Sequence, residues 1–320
     1  MPVYNSAPFL RESVQSVLNQ DFRDFELIAV DDGSSDESLE ILQSFEHDRR
    51  VKTIRLKNNQ GAAVARNVGI ADSDCDYLAF LDSDDLAKPQ RLKIQVQALE
   101  TGRRFDVVYS RADIMHNGGG WAPGSLEPPS PGEVPATLLF RNCIVQSSVL
   151  LRRCCWQPYR SEFELAEDYD LWARIAPYQS FLPLNAVLVA YREHPHGISK
   201  RLSDRMKEAV AAIHKLQLER LGVVGGVDLH GRLTAWPADA DAHQLAEAEA
   251  WLVGLSLANR VYQPASFRRV IERIWFSICL DSWALGPRAF QIYRRSTLAR
   301  LTSGRLWLFA RRFGRRALST

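Results

Sequence analysis

The chain has 320 residues, 46% hydrophobic and 24% charged, and its net charge of +2 excludes a polyelectrolyte partner engaged by the molecule as a whole. That length and apolar fraction suffice for one large domain or two smaller ones. The five cysteines (Cys75, Cys143, Cys154, Cys155 and Cys279) show neither metal-ligand nor redox spacing. With no basic-then-apolar leader and no apolar run of membrane-spanning length, a cytoplasmic setting is expected, with contact at the inner face of a membrane as its one extension.

Along the chain, Phe9, Leu10, Val14, Val17 and Leu18 recur at helical spacing behind Ser6, a candidate cap. FELIAV (25–30) reads as a buried strand ending at Asp31, and SDESLEILQSF (35–45) as a helix. VKTIRL (51–56), DYLAFLD (76–82) and FDVVYS (105–110) read as strands, with helices at 61–71 and 89–100 between them. This alternation predicts βαβ units and a mostly parallel sheet, with DYLAFLD central. Residues 118–135 are rich in Gly and Pro and read as a surface loop. VQSSVLL (145–151) and AVLVAYREH (186–194) read as strands, EDYDLWARIA (167–176) as a helix, and 203–221 as an amphipathic helix. Beyond 222 the pattern is helical, notably at 242–260 and 265–280. Two domains are expected, 1–221 and 222–320.

In the stretch YLAFLDSDDL (77–86), three carboxylates (Asp82, Asp84 and Asp85) fall within four positions after an apolar run. Like charges that close repel one another unless a cation offsets them. Carboxylate oxygens suit Mg²⁺ or Mn²⁺, which keep open positions for water and substrate phosphates. An isolated Asp-x-Asp is more often a solvated turn that caps the next helix. Here, however, Asp31 and Asp32 end an earlier strand on the same sheet rim, the edge where open α/β sheets bind ligands. Gly61 and Arg66 fall beside it. Glu167 and Asp168 open a helix, where a carboxylate is placed for general-base work or simply favoured by the helix dipole.

Together PVYN (2–5), VDDGSSDES (30–38), NNQGAAVARNVGI (58–70), FLDSDD (80–85), AEDYDLWARI (166–175) and YREHPHGIS (191–199) resemble the family 2 glycosyltransferases, in order and spacing, over residues 2–200. The resemblance implies an α/β GT-A (Rossmann-like) fold with a mostly parallel central sheet, followed here by an α-helical C-terminal region. It implies inverting transfer of a sugar from a nucleotide-sugar, by analogy a UDP-sugar, to an acceptor hydroxyl in surface polysaccharide or glycolipid synthesis. By position, Pro2 and Tyr4 would lie against the base, Asp31 would hydrogen-bond it, and Gly61 would let the backbone approach the nucleotide. Asp82 would lie near ribose and diphosphate, Asp84 would hold the metal, and Asp85 would support the loop. Asp168 matches the catalytic base and Glu167 its neighbour. His194 matches a position that helps bind metal or diphosphate. Arg66 is equally placed for the nucleotide and for an ion pair. Two departures stand out. The apolar strand that precedes PVYN in the family is nearly absent, so a weakened first strand is expected. CCWQPYRSEFEL (154–165) also replaces a Gly-Gly-Phe-Asp-like stretch on the acceptor side.

From Ser282 onward there are many arginines and no Asp or Glu. The segment 293–320 reads as a basic amphipathic helix, either lying on an anionic membrane or docked on the domain with a solvated arginine face. No nucleic-acid reader fold is recognisable, so nucleic acid is not an expected partner. Two other function classes compete: a non-catalytic glycosyltransferase-like binding module, and a phosphatase of the haloacid dehalogenase type, whose Asp-x-Asp usually follows the first strand.

Overall fold

The computed structural model describes residues 1–101, 104–116, 121–123, 127–193 and 203–313. It divides into two compact units, one of residues 1–134 and 142–210, the other of residues 135–141 and 211–320.

In the first unit, β1 (Pro2–Val3), β2 (Leu27–Asp31) and β3 (Val51–Arg55) form a parallel sheet with β2 in the middle. Register places Val3 opposite Asp31 and Asp31 opposite Arg55, which brings the ends of these strands to one rim. The helix α1 (Ala7–Leu18) follows β1 and buries Leu10, Val14 and Leu18, residues four apart that share one face. They pack with Val3, Leu27, Ala29, Leu42 and Val51 in a closed apolar cluster. The helices α2 (Ser38–Gln43), α3 (Ala62–Ala71) and α4 (Arg91–Thr101) connect the following strands.

A second, six-stranded sheet has the order β4-β8-β6-β9-β5, with β7 paired to β6. Its strands are β4 (Tyr77–Ala79), β5 (Leu86–Ala87), β6 (Val107–His116), β7 (Trp121–Pro123), β8 (Val149–Arg152) and β9 (Phe181–Glu193). Only β6 and β9 run parallel here, and the other pairings are antiparallel. DYLAFLD, expected as a central strand, therefore ends the hydrogen-bonded path and contributes three residues to it. Alternation of strands and helices is compatible with either direction of pairing, and hydropathy does not name a strand's neighbour. The expected loop at 118–135 also carries structure: β7, and a 3₁₀ turn at Pro131–Glu133 that leads into α5 (Val134–Leu138). The helix α6 (Glu167–Ile175) follows β8.

The second unit is helical. Its main elements are the end of α7 (Ser203–Arg220), α8 (Val227–Arg232), α9 (Ala242–Ala258), α10 (Pro264–Asp281), α11 (Pro287–Arg295) and α12 (Ser303–Phe313). A capping box starts α9, in which Asp241 accepts from the Gln244 N–H (2.8 Å) and Gln244 Oε1 from the Asp241 N–H (2.9 Å). The face of α10 formed by Phe267, Val270, Ile271, Trp275 and Ile278 is fully buried. Ala136, Leu139 and Phe140 belong to this same core although they precede it by some eighty residues in sequence. The boundary expected at 221/222 thus falls inside the second unit, which also draws on residues 135–141. No described helix is long and apolar enough to cross a membrane.

Candidate active site

The loops that leave β1 and β2 in the first unit are laced together. Asp32 N–H donates to Val3 O (2.8 Å), and Asn5 N–H donates to Ser34 Oγ (3.0 Å). Asn5 Oδ1 accepts from Ser35 N–H (2.8 Å), and Asp36 Oδ2 from Ala7 N–H (3.0 Å). Asn5 adopts φ 48°, a left-handed conformation that Asn tolerates better than most residues. Beside it Tyr4 remains 44% exposed, while Pro2 is half-buried in β1. The Asp31 carboxyl is buried. Its Oδ1 accepts from Ser34 N–H (3.2 Å), whereas Oδ2 receives no hydrogen bond and has Arg55 Nε at 4.0 Å.

Asp32 holds the neighbouring loop by accepting from the backbone N–H groups of Gln60 and Gly61, each at 2.8 Å. Burial raises its pKa, and those two donors oppose the rise. The close approach between these loops falls at Gly33: its φ is +72°, and a Cβ there would lie 2.8 Å from the Asn58 backbone. Gly61 has φ +90°, and a Cβ would meet only Glu164 Oε1, at 3.9 Å, so within the chain its glycine answers to backbone conformation.

Arg66, on α3, is the charge hub. It is buried, donating from Nη1 to Glu167 Oε1 (2.6 Å) and from Nη2 to Asp82 Oδ1 (2.7 Å), with its guanidinium 5.5 Å from the Tyr159 ring centre. Burial opposes its charge, but the Asp82 and Glu167 carboxylates outweigh burial and hold its pKa above the ordinary value. Arg66 thus makes the ion pair expected of it, with both Glu167 and Asp82. Tyr159 is fixed in turn by Gln146 Nε2 at its hydroxyl (2.6 Å) and by Asn67 at its backbone N–H and carbonyl (2.9 and 2.8 Å).

The acidic loop is pinned from several directions. Asp82 N–H donates to Ser147 Oγ (3.0 Å), Ser83 Oγ and Ser6 Oγ are 2.7 Å apart, and Ser13 Oγ donates to Asp85 O (2.7 Å). Arg192 at the end of β9 donates from its backbone N–H to Asp85 Oδ1 and from Nε to Asp84 O, both at 2.9 Å. Asp85 is buried. Burial first, then the Asp84 and Asp82 carboxylates, push its pKa well above the ordinary value. Asp84 itself is half-buried.

Asp168 lies in the first turn of α6. Its Oδ2 accepts from Asn142 Nδ2 (2.9 Å) and its Oδ1 from the Tyr169 N–H (2.6 Å). Burial and the adjacent Glu167 push its pKa up to about 7, against the pull of Arg66. Leu165, just before this helix, has φ 76°; it and Asn5 are the non-glycine residues with positive φ among those described. Asp170, inside the same acidic turn, is structural, since Arg160 and Arg174 both pair with it.

Asp82, Glu167 and Arg66 are therefore joined directly, while Tyr4, Asp31 and Gly61 line the linked β1 and β2 loops. His194 lies outside the described residues. No group of three or more His, Cys, Asp or Glu side chains is arranged to hold a metal among the described residues. A divalent ion held by one carboxylate, with diphosphate oxygens and water completing its shell, needs no such cage. Half-buried Asp84, in one short loop with Asp82 and Asp85, fits that mode. The sequence reading passed over the functions of Asp32, Asn142, Tyr159 and Arg192. Each acts across a long gap in sequence: Asp32 and Arg192 lie inside the motifs at 30–38 and 191–199, and Tyr159 inside the stretch 154–165, but nothing local marks their partners.

Residues 1–153 match the profile of Glycosyl transferase family 2. An uncharacterised glycosyltransferase of Haemophilus influenzae is 44% identical over 97 residues, which is 30% of this chain and 39% of that protein. The chain thus spans well under half of that relative. The Escherichia coli protein named UDP-Glc:alpha-D-GlcNAc-diphosphoundecaprenol beta-1,3-glucosyltransferase WfgD is 29% identical over 211 residues, 65% of this chain and 80% of that one. The crystal structure of S. aureus TarS 1–349 in complex with UDP superposes with TM-score 0.56 at 19% identity, covering 98% of this chain and 90% of that one.

Proposed function

Because residues 1–153 belong to glycosyltransferase family 2 and the first unit has the GT-A fold, we propose that the protein is an inverting glycosyltransferase that uses a nucleotide-sugar, a UDP-sugar in the first instance. The observation that carries the reading is Asp168: a carboxylate at a helix start, oriented by Asn142, with a pKa pushed up to about 7. A general base works best when its pKa lies near the operating pH.

Asp168 takes the proton from the acceptor hydroxyl as that oxygen bonds to the anomeric carbon. The bond from that carbon to the diphosphate breaks, and its electron pair leaves with the nucleoside diphosphate. Asn142 holds one carboxylate oxygen, which leaves the proton-accepting lobe oriented. Arg66 pairs with both Glu167 and Asp82, so only part of their negative charge acts on the base. On the donor side, Asp31 Oδ2, without a hydrogen bond in the chain, is the acceptor for a ring N–H of the base, and exposed Tyr4 is the stacking surface. Asp84, with His194, is the ligand set for Mg²⁺ or Mn²⁺, which when bound supplies Lewis-acid neutralisation of the leaving diphosphate. The name of the Escherichia coli relative supports a lipid-linked glycan as acceptor and a role in surface polysaccharide or glycolipid synthesis.

Calorimetric titration of UDP with Mn²⁺ and with EDTA tests the donor site. Metal-dependent binding that is lost in Asp84→Ala is expected, followed by release of UDP from a UDP-sugar on turnover. Release of free phosphate from the donor would favour a phosphatase. Binding of UDP without turnover on any acceptor would favour a binding module.

A further inference from the structure

Of the two readings of 293–320, the docked one describes its apolar residues in the described part. Two separate helices occupy the described part, and their apolar faces are already used: Tyr293 and Phe309 are fully buried. Phe309 packs against the rings of Phe276, Phe290, Tyr293 and Phe313. What stays outside is different. Trp283 is 58% exposed, Trp307 58% and Leu301 56%. Adjacent residues of the last turn of α12 cover the two indoles: the Arg312 guanidinium lies 3.9 Å from the Trp283 ring centre, and that of Arg311 lies 5.4 Å from Trp307. Both tryptophans are therefore covered by guanidiniums from neighbouring positions of one helix turn.

Charge says what such a patch meets. Residues 282–313 contain seven arginines and no acid, and six of the seven are exposed, although Arg312 also pairs with Asp281 just before the segment (3.5 Å). The exception, Arg305, is turned inward over Phe276 and donates to Tyr293 Oη (3.0 Å). Guanidinium groups match phosphodiesters geometrically, and indole rings favour the boundary between headgroups and acyl chains. Single-stranded nucleic acid also pairs basic and aromatic groups, but it stacks its bases on open rings, and here guanidiniums already lie over both indoles.

We propose that the surface of the helical unit bearing Trp283, Trp307, Arg311 and Arg312 docks on an anionic lipid bilayer. Contact is peripheral, with the tryptophans at headgroup depth and the arginines on lipid phosphates. It is independent of the donor chemistry proposed above.

The test is flotation of the full chain with phosphatidylcholine vesicles, with and without phosphatidylglycerol. Flotation only with the anionic lipid, weakened by salt, is expected. R311Q/R312Q should lower the vesicle partition coefficient by roughly twenty-five-fold, at about fivefold per arginine. W283A/W307A should lower it as well, and Asp84→Ala should float like the wild type. Melting temperatures are measured alongside. Should either double variant melt early, R295Q/R300Q, two exposed positions on the same basic segment, gives the arginine test in a folded chain. The proposal is overturned if the wild type does not float with anionic vesicles or if the folded double variants float undiminished. It is equally overturned if a single-stranded oligonucleotide binds as tightly as the vesicles with the same sensitivity to R311Q/R312Q, which would assign the patch to nucleic acid.

Discussion

The two units treat buried polarity in opposite ways. The α/β unit buries titratable groups in bulk: Asp31, Asp32, Arg66, Asp85, Arg91, Glu167 and Asp170 all lie inside it, held by ion pairs, by backbone donors or, at Arg91, by the carbonyls it donates to. The helical unit surrounds Trp275, Phe267 and Phe309 with aliphatic and aromatic side chains, and its buried groups include two histidines kept neutral and one carboxylate, Glu272, paired with Arg268. His230 has its Nε2 on Leu139 O (2.9 Å) and accepts the Trp251 indole N–H at Nδ1 (3.3 Å). Buried charge is costly and contributes little net stability. Its concentration in one unit coincides with the donor and base sites proposed above, while the other unit has an extensive apolar core.

The largest effect should come from the base. Asp168→Asn should lower kcat by about 10²–10⁴-fold while UDP affinity, read by calorimetry, stays near wild type. Transfer at an undiminished rate would remove Asp168 from the role and blur the contrast between the units.

Next come two substitutions of similar size and opposite meaning. Arg66→Met strands Glu167 and Asp82 and should cost about 3–5 kcal/mol in denaturant unfolding, with donor affinity falling as well. Phe309→Ala opens a cavity in the helical unit and should also cost about 3–5 kcal/mol, but leave UDP affinity unchanged. If both variants lost donor binding equally, the division of labour would be wrong.

pH separates the units by sign. The folded pKa of His230 is lowered from 6.5 to about 4, so its contribution to stability is present above about pH 6.5 and lost as pH falls toward 4. Asp168 is the reverse: its folded pKa is raised from 3.8 to about 7, so its contribution is present at low pH and lost as pH rises through 7. Melting curves across this range should show the helical unit weakening on acidification, with His230→Gln flattening that dependence. The pH profile of kcat/KM should show an ascending limb near 7, and a flat profile would contradict the assignment of the base.

The smallest effect is local. Gly33→Ala pushes a Cβ against the Asn58 backbone at a positive φ and should cost about 1–3 kcal/mol. A weaker affinity for UDP than for a metal–diphosphate mimic would place that damage on the base side of the site.

The sequence conveyed elements better than neighbours. Periodicity located α1, α3, α6, α9 and α10 closely, because each carries its own apolar stripe or cap. It could not show that β4 pairs antiparallel with β8, since pairing is a property of two distant segments. The same limit applied at the site. The clustered acids around Asp84 and Asp168 were visible as local charge density. Asn142 was not, because an asparagine in RNCIVQSS becomes meaningful only when the fold brings it across 26 residues to Asp168. Arg192 likewise looked like the polar end of a strand, and its hold on Asp84 and Asp85 spans more than a hundred residues.

The detour of residues 135–141 into the helical core has a consequence for how the chain is made. Phe140 stacks on His230, ring centres 4.9 Å apart, and Leu139 O is that histidine's hydrogen-bond partner. On the ribosome these residues emerge long before α8, α9 or α10 exist, so an apolar hook waits in solution until the C-terminal third is translated. A chain stopped at residue 210 would keep that hook exposed. Shortened versions of the α/β unit should therefore aggregate during synthesis unless Leu139 and Phe140 are made polar.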